Sequence, residues 1–206
     1  TGQGQFVEAT LFDSAISLLH PHAANYLMNG KLPVRTGNDH PNISPYSTYK
    51  TATRPVYLSV GNNRQFLRLC EGIGAPELAH DPRFADNGLR VVNREELRLE
   101  LEQAMSQLDG VELARDLIAS GVPAGPVLDV AEALAHPHTL HREMQINVGA
   151  YQGVGSAARP SQSKPSYRLP PPGFAEHVDE IMAEFGFDNA EIQMLKDKKI
   201  VPTEHL

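Results

Sequence analysis

The sequence predicts a mixed α/β chain, on three observations. A long apolar run with helical spacing, Phe6 to Met28, opens it; strand-like runs at Val56 to Val60 and Met144 to Val148 alternate with amphipathic helical runs; and a proline-punctuated stretch, Arg159 to Gly173, precedes two closing helical runs. With 206 residues the chain is long enough to bury a core without disulfides, as one large domain or two small ones.

In order, Phe6, Val7, Leu11, Ala15, Leu18, Leu19, Tyr26 and Leu27 make the first helix apolar around much of its girth, so it needs a large partner surface. Pro21 removes a ladder bond and should kink or interrupt it, and Asn29-Gly30 should stop it. Val56 to Val60 then reads as a strand ended by Gly61-Asn62, and Arg64 to Glu71 as a helix closed near Gly72 and Gly74. Asp81-Pro82-Arg83-Phe84 reads as a turn, with Asn93 as the expected cap of an amphipathic helix through Gln107. A second helix covers Val111 to Ala119, and the charges Arg94, Glu95, Glu96, Arg98, Glu100 and Glu102 read as a solvated face. Gly121 to Val127 is a rigid connector of glycine, proline and small apolar residues, leading to a short helix from Asp129 to Ala135. Met144 to Val148 reads as a strand before a glycine-rich hairpin-like turn, Gly149 to Gly155. Five prolines keep Arg159 to Gly173 extended, an arm laid over another surface, before helices at Phe174 to Phe185 and Asn189 to Lys198.

A formal net charge of −7 without a basic stripe argues against a nucleic-acid partner. Cys70 is alone, which rules out an internal disulfide and suits a reducing compartment; beside Phe66, Leu67 and Leu69 it reads as a small core hydrophobe. The apolar runs fall short of a bilayer span and no basic start precedes an apolar signal core, so the expected setting is cytoplasmic, with no membrane partner. The first residue is Thr1, with no initiator methionine, and Gly2-Gln3-Gly4-Gln5 reads as a connecting turn; the expectation is a piece of a longer protein.

The best site candidates lie in the stretch Thr36 to Tyr46, which must be a loop. Gly37 allows backbone shapes closed to other residues, Pro41 and Pro45 stiffen the chain, and Asn38, His40 and Asn42 both donate and accept hydrogen bonds. Such a segment either turns a corner or holds polar groups against a ligand. His136, His138 and His141 invite a metal reading, but Pro137 breaks the local helix and no cysteine lies nearby, so no metal is expected. His20 and His22 flank Pro21 on an apolar helix and read as packed or partner-facing. The chain has no serine elbow between glycines and no phosphate-binding glycine loop after a strand.

Several motifs, in this order and spacing, give a resemblance. They are Thr1 to Val7 leading into Leu11-Phe12-Asp13; Gly37-Asn38-Asp39-His40-Pro41; Val60-Gly61-Asn62 before Gln65-Phe66; Asp81-Pro82-Arg83-Phe84; Asn93-Arg94; Gly121 to Val127; and Pro170-Pro171-Pro172 before Glu176 to Glu180. On these the chain resembles the C-terminal part of the class III (CaiB/BaiF) CoA-transferases, the family of formyl-CoA transferase, carnitine CoA-transferases and α-methylacyl-CoA racemase.

The resemblance implies an interlocked homodimer whose Rossmann-like N-terminal half is missing here and would be a partner. Residues 1–54 would be the linker helix and active-site loop, 55–148 a small α+β domain, and 149–206 the C-terminal arm and helices returning to the large domain. It implies CoA exchange between an acyl-CoA thioester and a carboxylic acid through an aspartyl-CoA thioester, with the aspartate preceding the segment that matches Thr1. CoA thioester would enter as substrate, with no permanently bound cofactor and no catalytic residue in this chain. The Gly37 to Tyr46 stretch matches the family's mobile glycine-rich loop over the acyl group, which makes Gly37, Asn38, His40, Pro41 and Asn42 the implied substrate-binding residues. His40-Pro41-Asn42 stands where formyl-CoA transferase has consecutive glycines. An acyl-CoA racemase and a non-catalytic, partner-binding scaffold are the alternatives.

Overall fold

The structure is a computed structural model that describes residues 2–203. Its first helix, α1 (Leu11–Ser17), starts at Thr10, whose side chain accepts from Asp13 N–H at 3.1 Å. The expected helix from Phe6 therefore begins later, because Thr10 offers the N-terminal cap that the preceding residues lack. The chain breaks before Pro21 and resumes as α2 (His22–Asn29), closed by Gly30 at φ +68°, a left-handed geometry that glycine adopts without steric cost. Neither helix buries a side chain.

The core begins after the loop. Strands β1 (Tyr46–Tyr49) and β2 (Val56–Ser59) form an antiparallel pair with Tyr46 opposite Ser59 and Tyr49 opposite Val56. Helix α3 (Asn63–Gly72) follows, capped by the Asn62 side chain, then 3₁₀ turns at Pro76–His80 and Pro82–Phe84, and helix α4 (Asn87–Val92) capped by Asp86. Helix α5 (Arg94–Met105) starts at Asn93, but that side chain does not cap it. The Asn93 amide instead donates to the carbonyls of Arg83 and Leu89, tying the 3₁₀ turn to α4. Helix α6 (Gly110–Ala119) is capped by Asp109, and Ala124–Pro126, expected as a connector, adds the edge strand β3 on β2. Pro126 is tolerated there because an edge strand leaves one row of N–H groups unused.

The sheet order is β1-β2-β3. Its inner face carries Tyr49, Val56 and Leu58 against Phe66, Leu69 and Cys70 of α3, Leu97, Leu101 and Met105 of α5, and Leu113 and Leu117 of α6. Cys70 sits in this core, and burial pushes its thiol up to about 12. β1 and α4 carry no clear sequence signal: Tyr-Ser-Thr-Tyr has no apolar alternation, and α4 is too short for a helical period.

Compact units divide between Val127 and Leu128, whereas the sequence reading drew divisions after 54 and 148. The second unit holds helix α7 (Val130–Ala135), with a reciprocal Asp129–Glu132 cap, and helix α8 (Pro137–His141). Pro137 was expected to break the helix; it opens one instead, because a first-turn N–H has no helical partner to lose. Strands β4 (Gln145–Val148) and β5 (Tyr151–Val154) form a hairpin whose turn is only Gly149 and Ala150, with Gly149 at φ +60°. The proline-rich stretch has no regular structure, and helices α9 (Val178–Glu184) and α10 (Asn189–Asp197) close the unit. Helix α9 starts later than Phe174.

Candidate functional site

The loop between α2 and β1 is fastened by charged side chains of α5. Thr36 and Asp39 close a turn around Gly37 and Asn38: Asp39 N–H donates to the Thr36 carbonyl at 3.1 Å and the Thr36 hydroxyl to the Asp39 carbonyl at 3.0 Å. Gly37 sits at φ +62° in that turn, a position a side chain would strain. The Asp39 carboxylate pairs with Arg98, which also donates to the Thr48 carbonyl at 2.8 Å and the Ser47 hydroxyl at 3.2 Å and stacks over Tyr49. Arg94 donates to the His40 carbonyl at 2.7 Å, with its guanidinium 3.9 Å from Asp39. Arg94 and Arg98 are only 15% and 22% exposed, so these two charges are not the solvated face expected of them. The legible signal was their i, i+4 spacing beside the core positions Leu97 and Leu101, which places both at the edge of the buried stripe.

The predicted residues come together on this frame. His40 N–H donates to the Tyr46 carbonyl at 3.0 Å, and the imidazole stacks on the Tyr46 ring with centroids 4.9 Å apart. Asn42 N–H donates to His40 Nδ1 at 3.1 Å. Burial holds His40 below its ordinary pKa, with Arg94, His22 and His20 adding repulsion. Asn42 and Asn25 of α2 exchange amide bonds at 2.9 and 3.0 Å, and the Asn42 carbonyl accepts from Asn87 at 2.8 Å. Asn38 donates to the Thr48 hydroxyl at 3.2 Å. Pro41 lines a groove of about 220 Å³ with His22, Asn25, Lys31 and Thr36. A larger hollow of about 340 Å³, on the β4–β5 hairpin, has no titratable side chain in its wall. Polar chemistry therefore favours the loop.

Arg90 of α4 carried no sequence signal, yet it anchors the loop's end. It is 1% exposed and donates to the carbonyls of Ser44 at 2.8 Å and Phe84 at 3.0 Å and to Asn63 Oδ1 at 2.8 Å, over the face of Phe66. Of the histidines at 136, 138 and 141, His136 is used locally: its Nδ1 accepts from His138 N–H as the cap of α8. Among the described residues no group of three or more His, Cys, Asp or Glu side chains is arranged to hold a metal ion. Among them, too, no helix is long and apolar enough to cross a membrane.

A mixed helical chain with small antiparallel sheets and an arginine-fastened polar loop has close relatives among known proteins. The sequence profile of CoA-transferase family III matches residues 1–178, and the chain belongs to that family. It is 35% identical over 191 residues to an acetyl-CoA:oxalate CoA-transferase of Acetobacter aceti, covering 92% of this chain and 49% of that protein. It is 34% identical to a succinate–glutarate CoA-transferase of Agrobacterium fabrum, covering 89% of this chain and 47% of that protein. The crystal structure of a CaiB/BaiF family protein from Brucella suis superposes with a TM-score of 0.72 at 38% identity, over 89% of this chain and 48% of that one. The chain spans about half the length of the curated relatives it matches.

Proposed function

We propose that this chain is the C-terminal part of a CoA-transferase that moves coenzyme A from an acyl-CoA thioester to a carboxylic acid. The observation that carries the reading is the family match over residues 1–178, with relatives named for CoA transfer to oxalate, glutarate and mesaconate. Those names favour a short dicarboxylate as acceptor. In the exchange, an aspartate carboxylate outside this chain attacks the thioester carbonyl and expels CoA thiolate, leaving a mixed anhydride. The thiolate then attacks the aspartyl carbonyl and releases the donor acid; the acceptor carboxylate attacks the aspartyl thioester, and the thiolate returns to the acceptor acyl carbon. Covalent catalysis divides one difficult exchange into easier steps. The Gly37–Asn42 loop would cover the acyl group, exclude water from the anhydride and donate to the developing oxyanion. The division into linker, small domain and returning arm, the interlocked dimer, the N-terminal partner half and a cytoplasmic setting belong to the same proposal.

The test is CoA transfer by the chain assembled with the enzyme's N-terminal half, using succinyl-CoA with oxalate or glutarate and following both thioesters. Formation of the acceptor's CoA thioester is expected. Deuterium entering the α-position of a chiral 2-methylacyl-CoA in D₂O without any acceptor would overturn the reading in favour of a racemase. Stable assembly of the two halves without transfer would leave the chain a scaffold.

A further inference from the structure

Three backbone donors of the loop are already committed: Asp39 N–H to Thr36, His40 N–H to Tyr46 and Asn42 N–H to His40 Nδ1. The Asn42 amide is spent on Asn25 and the Asn38 amide is anchored on Thr48. The imidazole of His40 differs from both. A neutral imidazole has one donor and one acceptor nitrogen, and a backbone N–H at 3.1 Å obliges Nδ1 to be the acceptor. The proton must therefore sit on Nε2, where the ring finds no acceptor among the described residues. Stacking on Tyr46 fixes the plane of the ring, and Arg94 fixes the backbone that carries it.

We infer that His40 is a hydrogen-bond donor through Nε2–H, locked in that tautomer by the Asn42 N–H, and that it serves an oxygen of the bound acyl or carboxylate group. This rests on the CoA-transfer reading and deepens it. It also excludes a general-base role, since the nitrogen that lacks a proton is turned into the loop. At positions 39, 40 and 42, where a glycine loop would offer backbone N–H groups, this loop has spent them, and the His40 side chain supplies a donor.

Two measurements test the inference. In the full chain with ¹⁵N-labelled histidine, near pH 8, His40 should show an unprotonated signal at Nδ1 and a protonated one at Nε2; the reverse assignment overturns it. In the assembled enzyme, H40Q, whose amide nitrogen can replace Nε2–H, should keep kcat within about threefold, while H40A should lose about 10²-fold with little change in KM, the size of a lost oxyanion donor. H40Q falling as low as H40A overturns the donor role. A wild-type enzyme that transfers no CoA would instead sink the parent reading, while the nitrogen signals would still decide the tautomer.

Discussion

The segments His40-Pro41-Asn42 and His136-Pro137-His138 share one local device. In each, the backbone N–H two residues after the histidine donates to its Nδ1 at 3.1 Å, with proline, which has no N–H of its own, between them. At His136 the device caps a helix; at His40 it sets a tautomer in a loop. His40 is also the group that pH should disturb. Its folded pKa lies below the ordinary value, so between the two values the unfolded chain binds the proton and the folded one does not. The stability His40 contributes is therefore fully present above about pH 6.5 and is lost as pH falls from there through the folded pKa. Arg94 on α5, with His22 on α2 and His20 before it, opposes the proton. Arg94→Gln should raise the His40 pKa toward its ordinary value, whereas Arg94→Lys should hold it low; an NMR pH titration of the ring measures both. A His40 pKa that does not respond to Arg94→Gln would remove Arg94 from the causes and leave burial, with His22 and His20. The loop itself was legible in the sequence because glycine, proline and asparagine have local reasons to be there. The pairing of Asp39 with Arg94 and Arg98 was not, because it spans more than fifty residues; the i, i+4 spacing of the two arginines marks the edge of the buried stripe but does not name the loop they hold.

At the scale of elements, Arg90 joins three of them. Its guanidinium forks between the end of the loop, the second 3₁₀ turn and the start of α3, and burial lowers its pKa. Arg90→Met would keep the bulk over Phe66 but orphan two buried carbonyls, so a loss of about 2–4 kcal/mol is expected in urea unfolding. Arg90→Lys should recover little of it, since one ammonium cannot reproduce the planar fork. Gly110, the first residue of α6, makes the opposite kind of contact. A Cβ there would lie 2.3 Å from the Arg54 carbonyl and 3.0 Å from the Thr51 hydroxyl. Helix propensity alone would favour Gly110→Ala by about 1 kcal/mol. The clash should reverse that sign and destabilise the chain by about 2 kcal/mol or more, read as a lower urea midpoint; a gain in stability would mean the loop around Arg54 yields freely. These elements show what the sequence discloses. Helices α3, α6 and α10 carry a side-chain cap and an amphipathic period, and sequence reading places them to within a residue or two. β1 is defined by its contact with Arg98 of α5, and α4 by what its own Arg90 reaches in the loop and the second 3₁₀ turn, and no local pattern announces either.

Over the whole molecule, burial is uneven. Apolar side chains packed out of solvent belong almost entirely to residues 49–122; among the described residues of the second unit, Ile192 is the one buried large apolar side chain. The helices α1 and α2 expose Leu11 at 92%, Leu27 at 82% and Met28 at 86%. Exposed apolar surface on that scale marks an interaction site in a soluble protein, and a unit with so little core of its own cannot hold its backbone closed against water. Amide hydrogen exchange on the full chain should therefore divide it sharply. Slow exchange is expected in β1, β2, α3, α5 and α6, while residues 6–34 and 158–203 should exchange close to the rate of an open chain, because local opening there loses few contacts. Adding the N-terminal half of the enzyme should slow both fast regions together, since the proposed linker and returning arm would then cover apolar surface that now faces water. Protection of residues 6–34 alone would refute the returning arm and leave the linker reading standing. Protection of neither, with the two halves bound, would refute both and place the partner surface on the core itself.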